Sequence, residues 1–268
     1  MRAAALALLT LSDPQQKASA TRELAASIFG TVAVDAASVA APDIDPQIHL
    51  LAPAPLPGRP IRPRLVAPAE VPRRTPFTTE GRAALLHAVA HIEFNAINLA
   101  LDAVWRFPGM PALYYCQWLQ VAAEEALHFT LLNEHLATLG HAYGDFDAHD
   151  GLWNMVESTA DDVTARMALV PRTLEARGLD ATPPMQARLK QAGDPGAVEI
   201  LAIILRDEVG HVAIGNHWYR WLCERDGLDP HAHYAVLAAR HRAPRLRGPF
   251  NVEARRAAGF TEDELSRL

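Results

Sequence analysis

The chain has 268 residues, 50% of them hydrophobic, and a formal charge of -6. That is enough apolar material for one large core, and the acidic balance excludes the broad basic face of a dedicated nucleic-acid binder. Two cysteines, Cys116 and Cys223, exclude both a disulfide framework and a CxxC metal site, so a reducing cytoplasm is the expected setting.

The N-terminal MRAAALALLTLSD carries one Arg and a short apolar run without a cleavage pattern. Neither a signal peptide nor a membrane span is predicted, since no stretch approaches the uninterrupted apolar length a bilayer needs. Residues 13–28 read as a first helix, with Pro14 near its start. Ten of the 20 prolines then fall between Pro42 and Pro76. That density removes donors and stops every helix, so an extended arm laid over the main body is expected. Local basic stretches lie at 59–74 and 240–247.

Four long helices come next. Segment 79–106 has Thr78 or Thr79 as cap. Segment 111–139 starts at a proline and stops at Gly140. Segment 151–177 carries Pro171, which predicts a kink, and is followed by Gly178. Segment 195–224 opens on the Asp194–Pro195 pair and runs to Gly227. A small helix is expected at 182–191, and further short helices near 230–241 and 261–267. Each long helix would span roughly 40 Å at about 1.5 Å per residue. Four helices of similar length predict an all-α, four-helix bundle. The predicted organisation is an N-terminal helix and proline arm over 1–78, the bundle over 79–227, and a short helical extension over 228–268.

Two stretches carry chemistry. In RDEVGH (206–211) and AEEALH (123–128), Glu208–His211 and Glu125–His128 are three apart, and so share one face of their helices. The Glu208 face continues through Leu201, Ile204 and Trp218, and the Glu125 face through Val121 and Leu132. Buried carboxylates cost several kcal/mol unless something compensates, on the order of 2–7 kcal/mol even for a neutral polar group. A pair of metal ions does so: di-iron carboxylate bundles take Glu-x-x-His from two helices and one Glu from each of the others.

On 79–106 the best acid is Glu93 in AHIEFNA, with Asp102 further on. On the third helix Glu175, Asp161, Asp162 and Glu157 compete, and Glu175 lies nearest the apolar line Met167–Val170–Leu174. Oxygen-rich ligation with one imidazole per metal suits iron or manganese. Asp207 is placed to accept the Nδ1 proton of a ligating histidine. Tyr114, Tyr115, Trp118 and Trp218 lie close in sequence. The bland account of each motif is a surface ion pair, or a bundle whose buried acids meet its own Arg and His. Glu124 is a weaker rival to Glu125. His87, His91, His135 and His217 read as surface or core histidines, and Asp145, Asp147, His149 and Asp150 as a polar loop.

The stretches ALDAVWRFPGMP, AAEEALHFTLLNEHLATLGHAYGDFDAHDGLW, MALVPRTLEARGLD and ILRDEVGHVAIG, spread over about 91–220, resemble a bacterial family of uncharacterised ferritin-like proteins. The D-E-x-x-H of RDEVGH is also similar to the fourth-helix motif of oxygen-activating di-iron enzymes, many of which carry Arg where this chain has Gly210. The resemblance implies a ferritin-like fold and metal ligands at Glu93, Glu125, His128, Glu175, Glu208 and His211. It implies two iron ions, with manganese or a mixed Fe/Mn pair as the variant. Glu93, Glu125 and Glu208 would be the carboxylates nearest the chemistry.

Three functional classes fit this pattern. One is an oxidase or monooxygenase with an organic small-molecule substrate and an external electron donor. A second is iron storage, detoxification or peroxide scavenging. The third is a bundle with a structural metal clip. A related branch hydroxylates a modified adenosine in transfer RNA, which gives the basic stretches a role if the first class holds. A homodimer is compatible with all three.

Overall fold

A computed structural model of the chain describes residues 1–30, 44, 46–53, 55–72 and 74–268. Part of the expected proline arm (31–43, 45 and 54) and Arg73 of the first basic stretch lie outside the described residues. The fold is all-α: the described residues hold helices and a single isolated β-bridge. The chain divides into two compact units, Met1–Asp150 and Gly151–Leu268, whereas the sequence suggested boundaries at 78 and 227.

Unit 1 contains α1 (Arg2–Leu9), α2 (Pro14–Phe29), α3 (Thr79–Arg106) and α4 (Ala112–Thr138). The expected signals set their ends. Asp13 caps α2 ahead of Pro14, the Thr78 hydroxyl accepts from Gly81 N, and Gly140 ends the α4 turn at φ +78°. Helix α1, unforeseen from the sequence, buries Ala5, Leu6 and Leu9. Helix α3 packs along α4 and buries residues all round, so it is long and apolar enough to cross a membrane, yet 78% of its most apolar stretch is buried inside the fold.

The described part of the proline arm is fastened at several points within unit 1. Arg2 donates to Ile48 O and Trp105 O, Trp105 Nε1 donates to Leu50 O, and Gly58 N donates to Leu9 O. Gly58 passes so close that a Cβ there would sit 2.1 Å from Thr10 O. Leu65 and Ala148 then form the bridge. An extended chain cannot satisfy its own backbone, and these partners take that part.

Unit 2 departs from the predicted single kinked helix over 151–177. It forms α5 (Gly151–Ser158), α6 (Val163–Leu169), a π-helical segment (Val170–Glu175) and α7 (Ala176–Gln191). The first break follows from Asp162, whose carboxylate accepts from Ala165 N and starts a new helix. The second follows from Pro171, which has no N–H to give and whose ring crowds the preceding turn. The backbone widens there, and Thr173 Oγ1 donates to the Ala168 carbonyl five residues back at 2.7 Å.

The predicted stop at Gly178 does not occur: α7 continues through Pro183 and Pro184. Pro183 deprives the Leu179 carbonyl of its helical donor, and Asn251 Nδ2 replaces it at 3.2 Å. Helix α8 (Pro195–Arg225) is capped by Asp194 and runs unbroken. Three shorter helices, α9 (Pro230–Arg240), α10 (Val252–Ala257) and α11 (Glu262–Ser266), complete the unit. α10 is fixed to α7 by Arg255, whose guanidinium is held by Asp180.

Candidate metal centre

In unit 1, α3 carries Glu93 and α4 carries Glu125 and His128, all at most 3% exposed. The α3–α4 pairing brings them together. His128 Nδ1 lies 3.2 Å from Glu93 Oε2 and 3.3 Å from Glu125 Oε2. One ligand atom from each of the three lies within 4.8 Å of the others. Burial, then the neighbouring Glu125 charge, pushes the Glu93 carboxyl above its ordinary range, and His128 opposes the rise.

The donor set fits a cation. Two buried carboxylates share one imidazole, whose proton balances at most one of them, and a bound divalent ion would relieve the repulsion that raises Glu93. Two acids elsewhere have a cation of their own. Asp102 is held by Arg106 at 2.7 Å and Asp180 by Arg255 at 2.5 Å. The groups acting on Glu93 are instead a second acid and a histidine.

In unit 2, Glu208 and His211 share the inner face of α8, 6% and 1% exposed, with Glu208 Oε2 4.0 Å from His211 Nδ1. Glu175 closes the π-helical segment and is 8% exposed. One turn on, a Cβ at Gly178 would lie 4.0 Å from the Glu208 carboxyl carbon, which sets that carboxyl beside the first turn of α7. Glu175 leads directly into this turn. On the other side of the segment, a Cβ at Gly215 would meet the Pro171 ring at 2.5 Å, so glycine is what lets α8 approach. Metal ions bound at these residues would take carboxylate oxygen and imidazole nitrogen, a set suited to iron or manganese.

The rival acids have other work. Asp161 is exposed, Asp162 caps α6, and Glu157 accepts from Trp153 Nε1. Glu124 accepts from Gln120. Asp207 takes the guanidinium of its neighbour Arg206. In the loop, Asp147 and Asp150 pair with Arg64 and Arg59, so the described arginines of the first basic stretch are partly neutralised. Asp145 accepts from Ala142 N. Tyr114, Tyr115, Trp118 and Trp218 are buried, and the Tyr115 hydroxyl donates to Phe107 O.

His87 and His91 are core histidines, and His135 and His217 lie at the surface or half-buried. His87 Nε2 accepts from Gly144 N, while His91 meets the Tyr143 hydroxyl and the His149 carbonyl. Burial lowers their pKa values to about 4 and about 3, so both rings are neutral.

The sequence reading missed the buried cations. Lys17, fully buried, donates to Leu9 O, Gly58 O and Asn98 Oδ1, and burial lowers its pKa to about 7. Arg2, Arg166, Arg172 and Arg255 are likewise at most 7% exposed. The apolar flanks of Arg172 in LVPRTL were a usable signal; Lys17, in a polar-looking helix, had none.

A protein of Haemophilus influenzae, described as uncharacterised, is 53% identical over 231 residues, covering 84% of this chain and 78% of the relative. No solved structure matches the chain. The family model described as "Protein of unknown function (DUF455)" matches residues 10–266, which include every residue of both Glu/His groups, and the chain belongs to that family.

Proposed function

We propose that this chain is a ferritin-like, dinuclear iron carboxylate protein, with manganese or a mixed Fe/Mn pair as the variant, and that it is an oxygen-activating oxidase or monooxygenase. Glu93, Glu125 and His128 supply one set of ligands, and Glu175, Glu208 and His211 the other. The observation that carries this reading is the fully buried Glu93–Glu125–His128 cluster, in which two carboxylates converge on one imidazole. A ferritin-like four-helix arrangement of α3, α4, the α5–α7 stretch and α8 follows from the same reading.

Bound iron would supply electron exchange with dioxygen. The chain's own part is to hold the ligands in fixed rotamers on long helices and to exclude bulk water with the apolar residues around them. Glu93, Glu125 and Glu208 are the carboxylates nearest the chemistry. An organic small molecule is the proposed substrate, and an external reductase the electron donor.

Anaerobic loading with ferrous ion, followed by oxygen exposure and Mössbauer spectroscopy, tests this. Two irons per chain that convert to a coupled diferric pair are expected. Glu125→Ala and Glu208→Ala should lose iron while Glu157→Ala keeps it; if neither ligand substitution changes metal content, the assignment is wrong. Dioxygen consumption without ferric mineral identifies an enzyme, whereas mineral growth identifies a store.

A further inference from the structure

The π-helical segment that delivers Glu175 is gripped from the C-terminal end of the chain. Arg172, 7% exposed, sits in the middle of that segment. Its Nη1 donates to Asn216 Oδ1 on α8, and its Nη2 donates to Glu264 Oε1 on α11 at 2.5 Å. The guanidinium lies over the rings of Phe260, Tyr219 and Tyr234, at 4.8, 5.3 and 5.6 Å.

Glu264 is itself fixed on several sides. Its second oxygen accepts from Arg220 Nη2 at 3.0 Å and from Thr261 N at 2.8 Å, in a capping box. Asn216 Nδ2 in turn donates to Ala258 O. A short stretch near the C-terminus therefore holds both α8 and the widened turn before Glu175 through one arginine.

A π-helical turn is less favourable than an α-helical one and persists where side chains hold it. Relaxation to α-helix would remove one residue from the turn and rotate the C-terminal side of the helix by about 100° relative to the N-terminal side. Glu175 stands at the end of that turn, three residues after Arg172. A buried guanidinium that loses its carboxylate is an uncompensated charge, and it would leave the interior and take the segment with it.

We infer that the Arg172–Glu264 pair is a positioning device that sets Glu175 for metal binding. This rests on the reading of Glu175 as a ligand. The C-terminal helix would then belong to the metal centre's support and not only to the surface of unit 2.

The test is stepwise Mn(II) binding to the full-length chain under anaerobic conditions, read by EPR and calorimetry. The wild type is expected to take two ions. Glu264→Ala should weaken one of them at least tenfold and leave the other within about twofold, with Glu264→Gln, which keeps an acceptor, in between. Asn251→Ala is the control, because it loosens α10 from α7 without touching Arg172 and should change neither affinity.

Equal weakening of both ions by Glu264→Ala, no weakening, or the same pattern in Asn251→Ala would each overturn the positioning role. A Glu175→Ala chain that still binds two ions with wild-type affinity overturns the ligand assignment and the positioning role together. A wild-type chain that binds no ion overturns the metal reading itself.

Discussion

Units 1 and 2 each carry two buried glutamates and a buried histidine, on different backbones. In unit 1, Glu93 comes from the middle of an unbroken 28-residue helix and meets a Glu-x-x-His pair on a 27-residue helix. In unit 2 the Glu-x-x-His pair again rides one long helix, and Glu175, the acid we propose as its partner, comes after a cap, a break, a proline and a π-helical turn. In unit 1 His128 Nδ1 lies 3.2–3.3 Å from the two carboxylates, and within α8 Glu208 and His211 stand 4.0 Å apart. A regular helix places a residue by periodicity alone. An irregular one needs neighbouring side chains to hold it, and those neighbours become part of the site.

The largest expected effect tests whether unit 2 depends on that irregularity. Gly215→Val would drive its side chain into the Pro171 ring, since even a Cβ comes within 2.5 Å. Overpacking of this kind should cost about 3 kcal/mol, read as a lower urea midpoint. A midpoint within error of wild type would show that the segment gives way freely.

Unit 1 should instead reveal itself through pH. The His87 ring is neutral in the folded chain down to about pH 4, because burial outweighs the opposing pull of Asp145, whereas its ordinary value is 6.5. Between those values the unfolded chain binds more protons than the folded one, so stability falls as pH drops from 6.5 toward 4. The loss between pH 7.5 and pH 5 should be about 2 kcal/mol from this residue, and His87→Gln should flatten that part of the profile. An unchanged profile in the variant would assign the acid sensitivity elsewhere.

Asn251→Ala removes the donor that replaces Pro183's missing N–H at Leu179 O. It should lower stability by about 1 kcal/mol, and hydrogen exchange should rise in α7 and α10 while α3 and α4 keep their protection. Exchange that rises equally in both units would deny that α7 is the locally supported helix.

The smallest effect runs the other way. Gly210 is exposed on α8, and a Cβ added there would meet nothing within 4 Å, so the position can accept a side chain. Gly210→Ala should raise stability by about 0.5–1 kcal/mol through helix propensity and leave metal content unchanged. Altered metal content would mean that the glycine shapes the site and is not merely tolerated.

Much of unit 1 was legible because its signals are local. Thr78 and Asp13 announce helix starts, Gly140 a stop, and Glu93, Glu125 and His128 declare themselves as polar residues on apolar faces. Unit 2 was less legible because its key events are resolved by partners distant in sequence. Pro183 looks like a helix breaker until Asn251 fills the gap, and Gly178 looks like a stop until the structure carries α7 past it. Pro171 does mark a disturbance, but whether it yields a kink or a π-helical turn depends on Thr173, Gly215 and Arg172.

Periodicity, caps and the paired Glu-x-x-His spacing are properties of neighbouring residues, so the sequence by itself determined the all-α class, most helix ends and the acids and histidines on buried faces. The tertiary structure decided which buried or half-buried acids have cations of their own. Asp102, Asp180 and Glu264 are matched by Arg106, Arg255 and Arg172, while Glu93 meets Glu125 and His128. Charge balance in a low-dielectric interior depends on distances of a few ångströms between groups far apart in the chain, and only packing sets those distances.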